Sequence, residues 1–287
     1  MRNLLDIGQQ AAIVGVMAVG MTFVLIAGEI DLSIGAIYVL CATLCGELIN
    51  TGAPWPLAAL AAILLGALCG LVNGLITTLL KIPSFIVTLG TLSVFRGGAL
   101  LVTQGVPINL DATSRNVYEF SLIGNSRLLG VIPSQFLLFA FLAVAFGLLL
   151  RFSVYGYHVY GVGGSRAAAA LAGIPVKRVS IQSFVLSGAM SSVAGIVGLS
   201  YLLNVQGTSG VGYELLVITA VVVGGAVLTG GSGTMVGTVL GVLLIAALQN
   251  VLILSGVSSY WQTITTGVVI VASVALDGLL RRRGRRV

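Results

Sequence analysis

The chain has 287 residues, of which 57% are hydrophobic and 8% charged, and its mean hydropathy is +1.12. Ordinary soluble domains carry about 25% charged residues, so 14 Lys and Arg with 8 Asp and Glu cannot cover a soluble surface of this size. Composition therefore excludes a soluble enzyme, a disordered chain and a free nucleic-acid binder. No acidic or basic residue lies between Glu214 and Asp277, and a helix crosses the bilayer core with about 20 apolar residues. The chain reads as an all-α, polytopic transmembrane helical bundle forming one domain over 1–287. A barrel would show short alternating segments instead.

In chain order the apolar segments are 4–27, 34–50, 55–79, 84–103, 134–151, 178–200, 213–229, 233–254 and 258–278, about nine spans. The first carries on into the body of the protein with no cleavable signal pattern. Cys41, Cys45 and Cys69 sit in apolar runs without ligand spacing and read as small packing residues. The arginines Arg281, Arg282, Arg283, Arg285 and Arg286 mark a cytoplasmic C-terminus. Parity then puts Lys81 and the loop from Arg151 to Arg178 inside, and the loop from Gln104 to Pro133 outside. Nine spans put the N-terminus outside. Either a helix is missing ahead of this chain, or Gly28–Ser33 is a re-entrant break.

Gly28-Glu29-Ile30-Asp31-Leu32-Ser33 interrupts two apolar runs. Carboxylates at membrane depth are costly and need partners. Asp31 or Ser33 is placed to cap a helix starting near Ile34; alternatively the segment is a broken helix lining a path. Arg96, within a span, could pair with Asp31 or Glu29, or bond carbonyls. Gly66, Gly70 and Gly74, like Gly233, Gly237 and Gly241, recur every four residues, which lets helix backbones approach within the chain or between subunits. Gly70–Ile76 resembles Ala247–Ile253, and by parity the two helices run oppositely, as in an inverted repeat.

Asn73, Thr88, Thr91, Ser93, Gln206, Thr208, Gln249, Asn250, Trp261, Gln262 and Thr263 lie in or beside apolar spans. Hydroxyls and amides suit an uncharged polyhydroxylated solute, and Glu29, Asp31, Ser33, Asn73, Thr88 and Asn250 are the candidate walls of its path. An ion-coupled carrier would show mid-span acids or His, and His158 falls in the inner loop. No His or Cys set accompanies the acids, so neither a metal nor a cofactor is expected. An intramembrane enzyme would need a nucleophile–base pair that is lacking. In the inner loop, Gly163-Gly164 reads as a flexible entry and Ser165 as a cap. Arg166 to Ala172 is Ala-rich and helical, and Gly173-Ile174-Pro175 ends it. Such an element docks on a partner or lies at the membrane interface.

Six segments carry a family resemblance: Ile30-Asp31-Leu32-Ser33-Ile34-Gly35; Ile82 to Thr91; Phe95-Arg96-Gly97; Gly163 to Arg178; Gly212-Tyr213-Glu214 with Gly224-Gly225 and Gly230-Gly231-Ser232-Gly233; and Val257 to Gln262. From about Gln9 to Asp277 the chain resembles the permease subunit of bacterial ABC sugar importers of the ribose, xylose and autoinducer-2 type. The resemblance implies a non-catalytic subunit of the inner membrane that pairs with a second permease subunit, a cytoplasmic ABC ATPase and an external solute-binding protein. No Walker motif occurs in the chain. The resemblance makes 151–178 the coupling loop, with Gly164, Ser165, Arg166, Ala168, Ala169, Leu171, Gly173, Ile174 and Pro175 facing the ATPase. It also implies ten helices, so one would be lacking here. Two positions depart from the family pattern: Glu29 stands where a glycine is usual, and Arg166-Ala167 where acidic residues are frequent.

Overall fold

A computed structural model describes residues 2–256 together with 261, 264–265 and 267–269. It is helical, as expected. The helices are α1 Arg2–Ile26, α2 Ile34–Asn50, α3 Trp55–Leu79, α4 Ser84–Thr103, α5 Arg115–Asn125, α6 Ser134–Phe152, α7 Val154–Gly164, α8 Arg166–Leu171, α9 Val176–Leu202, α10 Tyr213–Val223 and α11 Met235–Leu254. Strands β1 Ile108–Asn109, β2 Arg127–Leu128, β3 Ile132–Pro133 and β4 Asn204–Val205 are two residues each. They pair antiparallel, β1 with β4 and β2 with β3, and only tie loops together.

The first eight apolar segments each hold one helix. Among the described residues six helices are long and apolar enough to cross a membrane: Ile7–Ile26 within α1, and α3, α4, α6, α9 and α11. Helices α2 and α10 have 17 and 11 residues, so at 1.5 Å per residue they reach about 26 and 17 Å. Helix α2 fills its expected segment 34–50, whereas α10 stops short of the expected 229, and local backbone bounds both. The break 27–33 precedes α2. Gly210 and Gly212 hold left-handed backbone ahead of α10, and Gly225, Gly230 and Gly231 do so after it. The segment 258–278, with the terminal arginines, lies largely outside the described residues.

Helix α9 is the central post, packed on α1, α2, α3 and α5. Its contact with α3 is antiparallel and closes on glycine. A Cβ on Gly70 would fall on the Phe184 carbonyl, one on Gly66 would meet Gly188 and Ser192, and one on Gly74 would meet Ile181. Gly237 and Gly241 meet the backbone of Gly224 and Ala220 in the same way. Both glycine stripes are therefore spent on packing within the chain. The far sides of α3, α6 and α11 present Leu57, Leu60, Leu64, Leu68, Phe141, Leu148, Val236 and Leu240 outward, as lipid or a subunit partner requires.

The two ends of the bundle differ. At one end α5 leans on α9, where a Cβ on Gly124 would meet Tyr201. Asn116 there bonds Ala53 and Trp55, and Asn50 bonds Asn109. At the other end α7 meets the last turn of α1, and α8 reaches Glu29 just beyond it. The loop Gln104–Pro133 and the loop Arg151–Arg178 thus occupy opposite ends.

Candidate functional site

Helix α1 stops at Gly28, which takes φ +77°. The Gly28 amide donates to Leu25 O and the Glu29 amide to Val24 O, both at 3.0 Å; this is a Schellman ending, in which a left-handed residue closes the last carbonyls. The chain then runs through Ile30 and Asp31 before α2 begins. Neighbours satisfy the freed backbone: Ile30 N donates to Ser84 Oγ at 3.1 Å, and Thr88 Oγ1 donates to Ile30 O at 3.3 Å.

Asp31 is fully buried. Its Oδ1 accepts from Ser33 N at 3.0 Å and Ser33 Oγ at 2.6 Å, and its Oδ2 accepts from Ser187 Oγ at 2.9 Å. The relay continues outward, with Asn73 Nδ2 donating to Ser33 Oγ at 2.8 Å and Thr91 Oγ1 donating to Asn73 Oδ1 at 2.7 Å. One carboxylate thus joins the α1–α2 break to α9, α3 and α4. Hydroxyl and amide donors replace the water that a buried carboxylate loses. Of the two capping candidates, Ser33 sits at the N-cap of α2 and makes no side-chain cap bond, its hydroxyl donating to Asp31, while Asp31 Oδ1 accepts the Ser33 amide at the start of the helix.

Glu29 does not join this relay. It is 4% exposed, and Arg166 Nη2 of α8 donates to its Oε1. Around this pair three segments touch backbone to backbone. A Cβ on Gly163 would strike Ile26 O and Gly231 N, the Gly231 amide donates to Ile26 O at 2.8 Å, and Tyr160 Oη donates to Gly233 O at 2.7 Å. Of Gly163-Gly164, expected as a flexible entry, Gly163 is wedged at the end of α7, while a Cβ on Gly164 would meet nothing.

Toward the other end a cavity of about 460 Å³ opens among Gln9, Gln10, Gln135, Gln249, Tyr201 and Tyr213. Gln135 is 1% exposed; its Nε2 donates to Gly124 O, and its Oε1 has no partner among the described residues.

Residues 3–274 match the family described as the branched-chain amino acid transport system / permease component. The chain is 42% identical over 276 residues to the ribose import permease protein RbsC of Bacillus subtilis, covering 96% of this chain and 84% of that one. It is 38% identical to the ribose import permease protein RbsC of Escherichia coli, covering 96% and 85%. It is 34% identical to the autoinducer 2 import system permease protein LsrC of Salmonella paratyphi B, covering 98% and 79%. No solved structure matches. The chain belongs to this permease family. The permease is the non-catalytic transmembrane subunit of an ABC importer and a multi-pass protein of the bacterial inner membrane. Its family implies an ATPase and a solute-binding protein as partners.

Of the path candidates in this permease, Asp31, Ser33, Asn73 and Thr88 come together at the break. All four are fully buried, so they do not face an open channel in this conformation. Asn250 is apart from them. It lies on α11, which packs on α1, α10 and α6, and its Oδ1 has no partner among the described residues. Arg96 pairs with neither Glu29 nor Asp31: its Nε and Nη1 lack partners among the described residues, and the acid near it is Glu214. In the loop Arg151–Arg178 Ser165 Oγ accepts from Ala168 N at 3.3 Å, which caps α8, and Gly173 at φ +80° follows its end, with Ile174 and Pro175 leading into α9. Ala168, Leu171, Gly164 and Gly173 are exposed, whereas Ala169 is 4% exposed and packs inward.

Sequence reasoning missed Ser187, the second anchor of Asp31. The signal was present: Ser180, Ser183, Ser187 and Ser191 share one face of α9 at helical spacing, and all four are buried.

Proposed function

We propose that this permease imports a monosaccharide of the ribose type, working with a second permease subunit, a cytoplasmic ABC ATPase and an external binding protein. The observation that carries the reading is the pairing of a charge-poor interior with hydroxyl and amide groups: the relay at the α1–α2 break, and the four glutamines and two tyrosines of the outer cavity. Such groups exchange hydrogen bonds with a polyol, and no charge has to be neutralised. Two relatives carry ribose import in their names. Asp31, Ser33, Asn73, Thr88 and Asn250 act from the walls of the path, exposed in turn as the helices around the break shift.

The reading includes about nine spans, with α2 and α10 crossing together with their extended neighbours, and an inverted repeat. Both repeat arms, 70–76 in α3 and 247–253 in α11, sit near the last turn of a helix, which supports the repeat. Exposed residues of α8 meet the ATPase.

Proteoliposomes holding the permease with its ATPase and binding protein test the whole reading. Labelled ribose should accumulate only with ATP. Uptake of autoinducer 2 but not ribose would move the substrate. Uptake driven by an ion gradient without the ATPase would sink the importer reading.

A further inference from the structure

Among the described residues there are two ion pairs, and they differ in kind. Arg115–Glu119 is an exposed i,i+4 pair on α5, a type that contributes little to stability. Arg166–Glu29 joins residues 137 positions apart, and its carboxylate is 4% exposed beneath a half-exposed guanidinium. We propose that Glu29 and Arg166 form a charge latch that ties the coupling helix to the α1–α2 break, so that Glu29 is a positioning residue for coupling rather than a wall of the path.

Three observations carry this. First, Glu29 has no other cation: Lys177 and Arg178 are exposed and form no ion pair among the described residues. Second, Arg166 opens α8, where the positive end of the helix dipole disfavours a cation; the carboxylate offsets that. Third, Glu29 is followed at once by Ile30, which α4 grips through Ser84 and Thr88, and by Asp31, which α9, α3 and α4 hold through the relay. A displacement of α8 therefore reaches the relay through one half-buried contact. The glycine joint of Ile26, Gly163 and Gly231 keeps the two parts in register while that contact is made.

Arg166 is the counter-charge of Glu29 and is committed inward. The face that α8 offers to the ATPase is then its neutral one, Ala167, Ala168, Ala170 and Leu171.

This inference rests on the importer reading above. The test uses the assembled complex with its ATPase and binding protein, labelled ribose as probe, and three forms: Glu29→Gln, Arg166→Gln and the exchange Glu29→Arg with Arg166→Glu. Glu29→Gln is close in volume to the native residue and leaves Arg166 solvated, so it should fold and co-purify with the ATPase. Its ribose moved per ATP hydrolysed should fall about fivefold or more, the lower range of coupling between sites. Arg166→Gln strands a buried carboxylate and should be the less stable of the two. The exchange should recover part of the lost coupling. A Glu29→Gln complex that keeps the native ratio overturns the latch, and so does an exchange no better than either single form. Should the unsubstituted complex move autoinducer 2 but not ribose with ATP, the substrate reading moves and the same ratio is taken with autoinducer 2; should it move solute without the ATPase, the importer reading falls, and the latch with it.

Discussion

At the scale of single residues, Asn73 shows why an amide stands in the relay. Its nitrogen donates to Ser33 and its oxygen accepts from Thr91; an ionised carboxylate, which has no proton to donate, cannot meet both demands. Asn73→Leu removes both bonds, although Ser33 Oγ keeps Asp31 and Thr91 Oγ1 keeps Thr88 O; each lost bond costs about 0.5–1.5 kcal/mol. The purified permease should melt several degrees lower in detergent. Asn73→Asp should be worse still, since it faces the Ser33 oxygen with an acceptor near the Asp31 carboxylate. An Asn73→Leu protein that melts like the native one would show that the relay contributes no stability. Asp31, Ser33, Asn73 and Thr88 were legible because each is a lone polar group in an apolar run. Ser187 was not, since serine is cheap in a membrane helix and does not stand out singly. The Glu29–Arg166 pair was not legible either; sequence offered Arg96 as the partner inside a span, and tertiary placement chose the more distant arginine.

At the scale of elements, α8 was readable and α7 was not. Ser165 starts α8 and Gly173 stops it by rules that act within a few residues. Residues 154–164 carry Gly156, Gly161, Gly163 and Gly164, which oppose a helix locally. Packing overrides that: Tyr155 stacks on Phe23 at 5.8 Å and its hydroxyl meets Ser183 at 3.0 Å, while Val159 and Val162 are buried. The two faces of α8 predict separable phenotypes. Leu171 is 92% exposed, so Leu171→Asp, like Ala168→Trp, should preserve melting temperature and weaken co-purification of the ATPase. Ala169 is buried, so Ala169→Trp should destabilise the permease itself, by about 1–3 kcal/mol as overpacking does. ATPase retention by both Leu171→Asp and Ala168→Trp would remove α8 from the docking surface.

At the scale of the whole molecule, hydropathy located eight helices, with the bounds of α2 as expected at 34–50, but α10 stops at Val223, short of the expected 229. An apolar run does not distinguish helix from buried extended backbone, and the glycines around α10 are what divide the two. The separation of the loops to opposite ends leads to a labelling test that the protein's own thiols scarcely disturb, because Cys41, Cys45 and Cys69 are buried and unpaired. Ala112→Cys, in the loop with α5, should react with an impermeant maleimide in intact cells. Leu171→Cys should react only after the membrane is opened. The reverse pattern would invert the topology.

The central position of α9 also has a consequence for how the protein is made. Its residues, 176–202, leave the ribosome after every helix from α1 to α8. Until then Asp31 lacks its Ser187 donor, and Gly66, Gly70 and Gly74 have nothing to close against. The early helices must wait in the bilayer as an unfinished intermediate, exposed to membrane proteases. In a pulse-chase experiment a chain stopped at Pro175 should be degraded faster than one stopped just after Leu202, and equal lifetimes would mean that the first half holds together without its late partner.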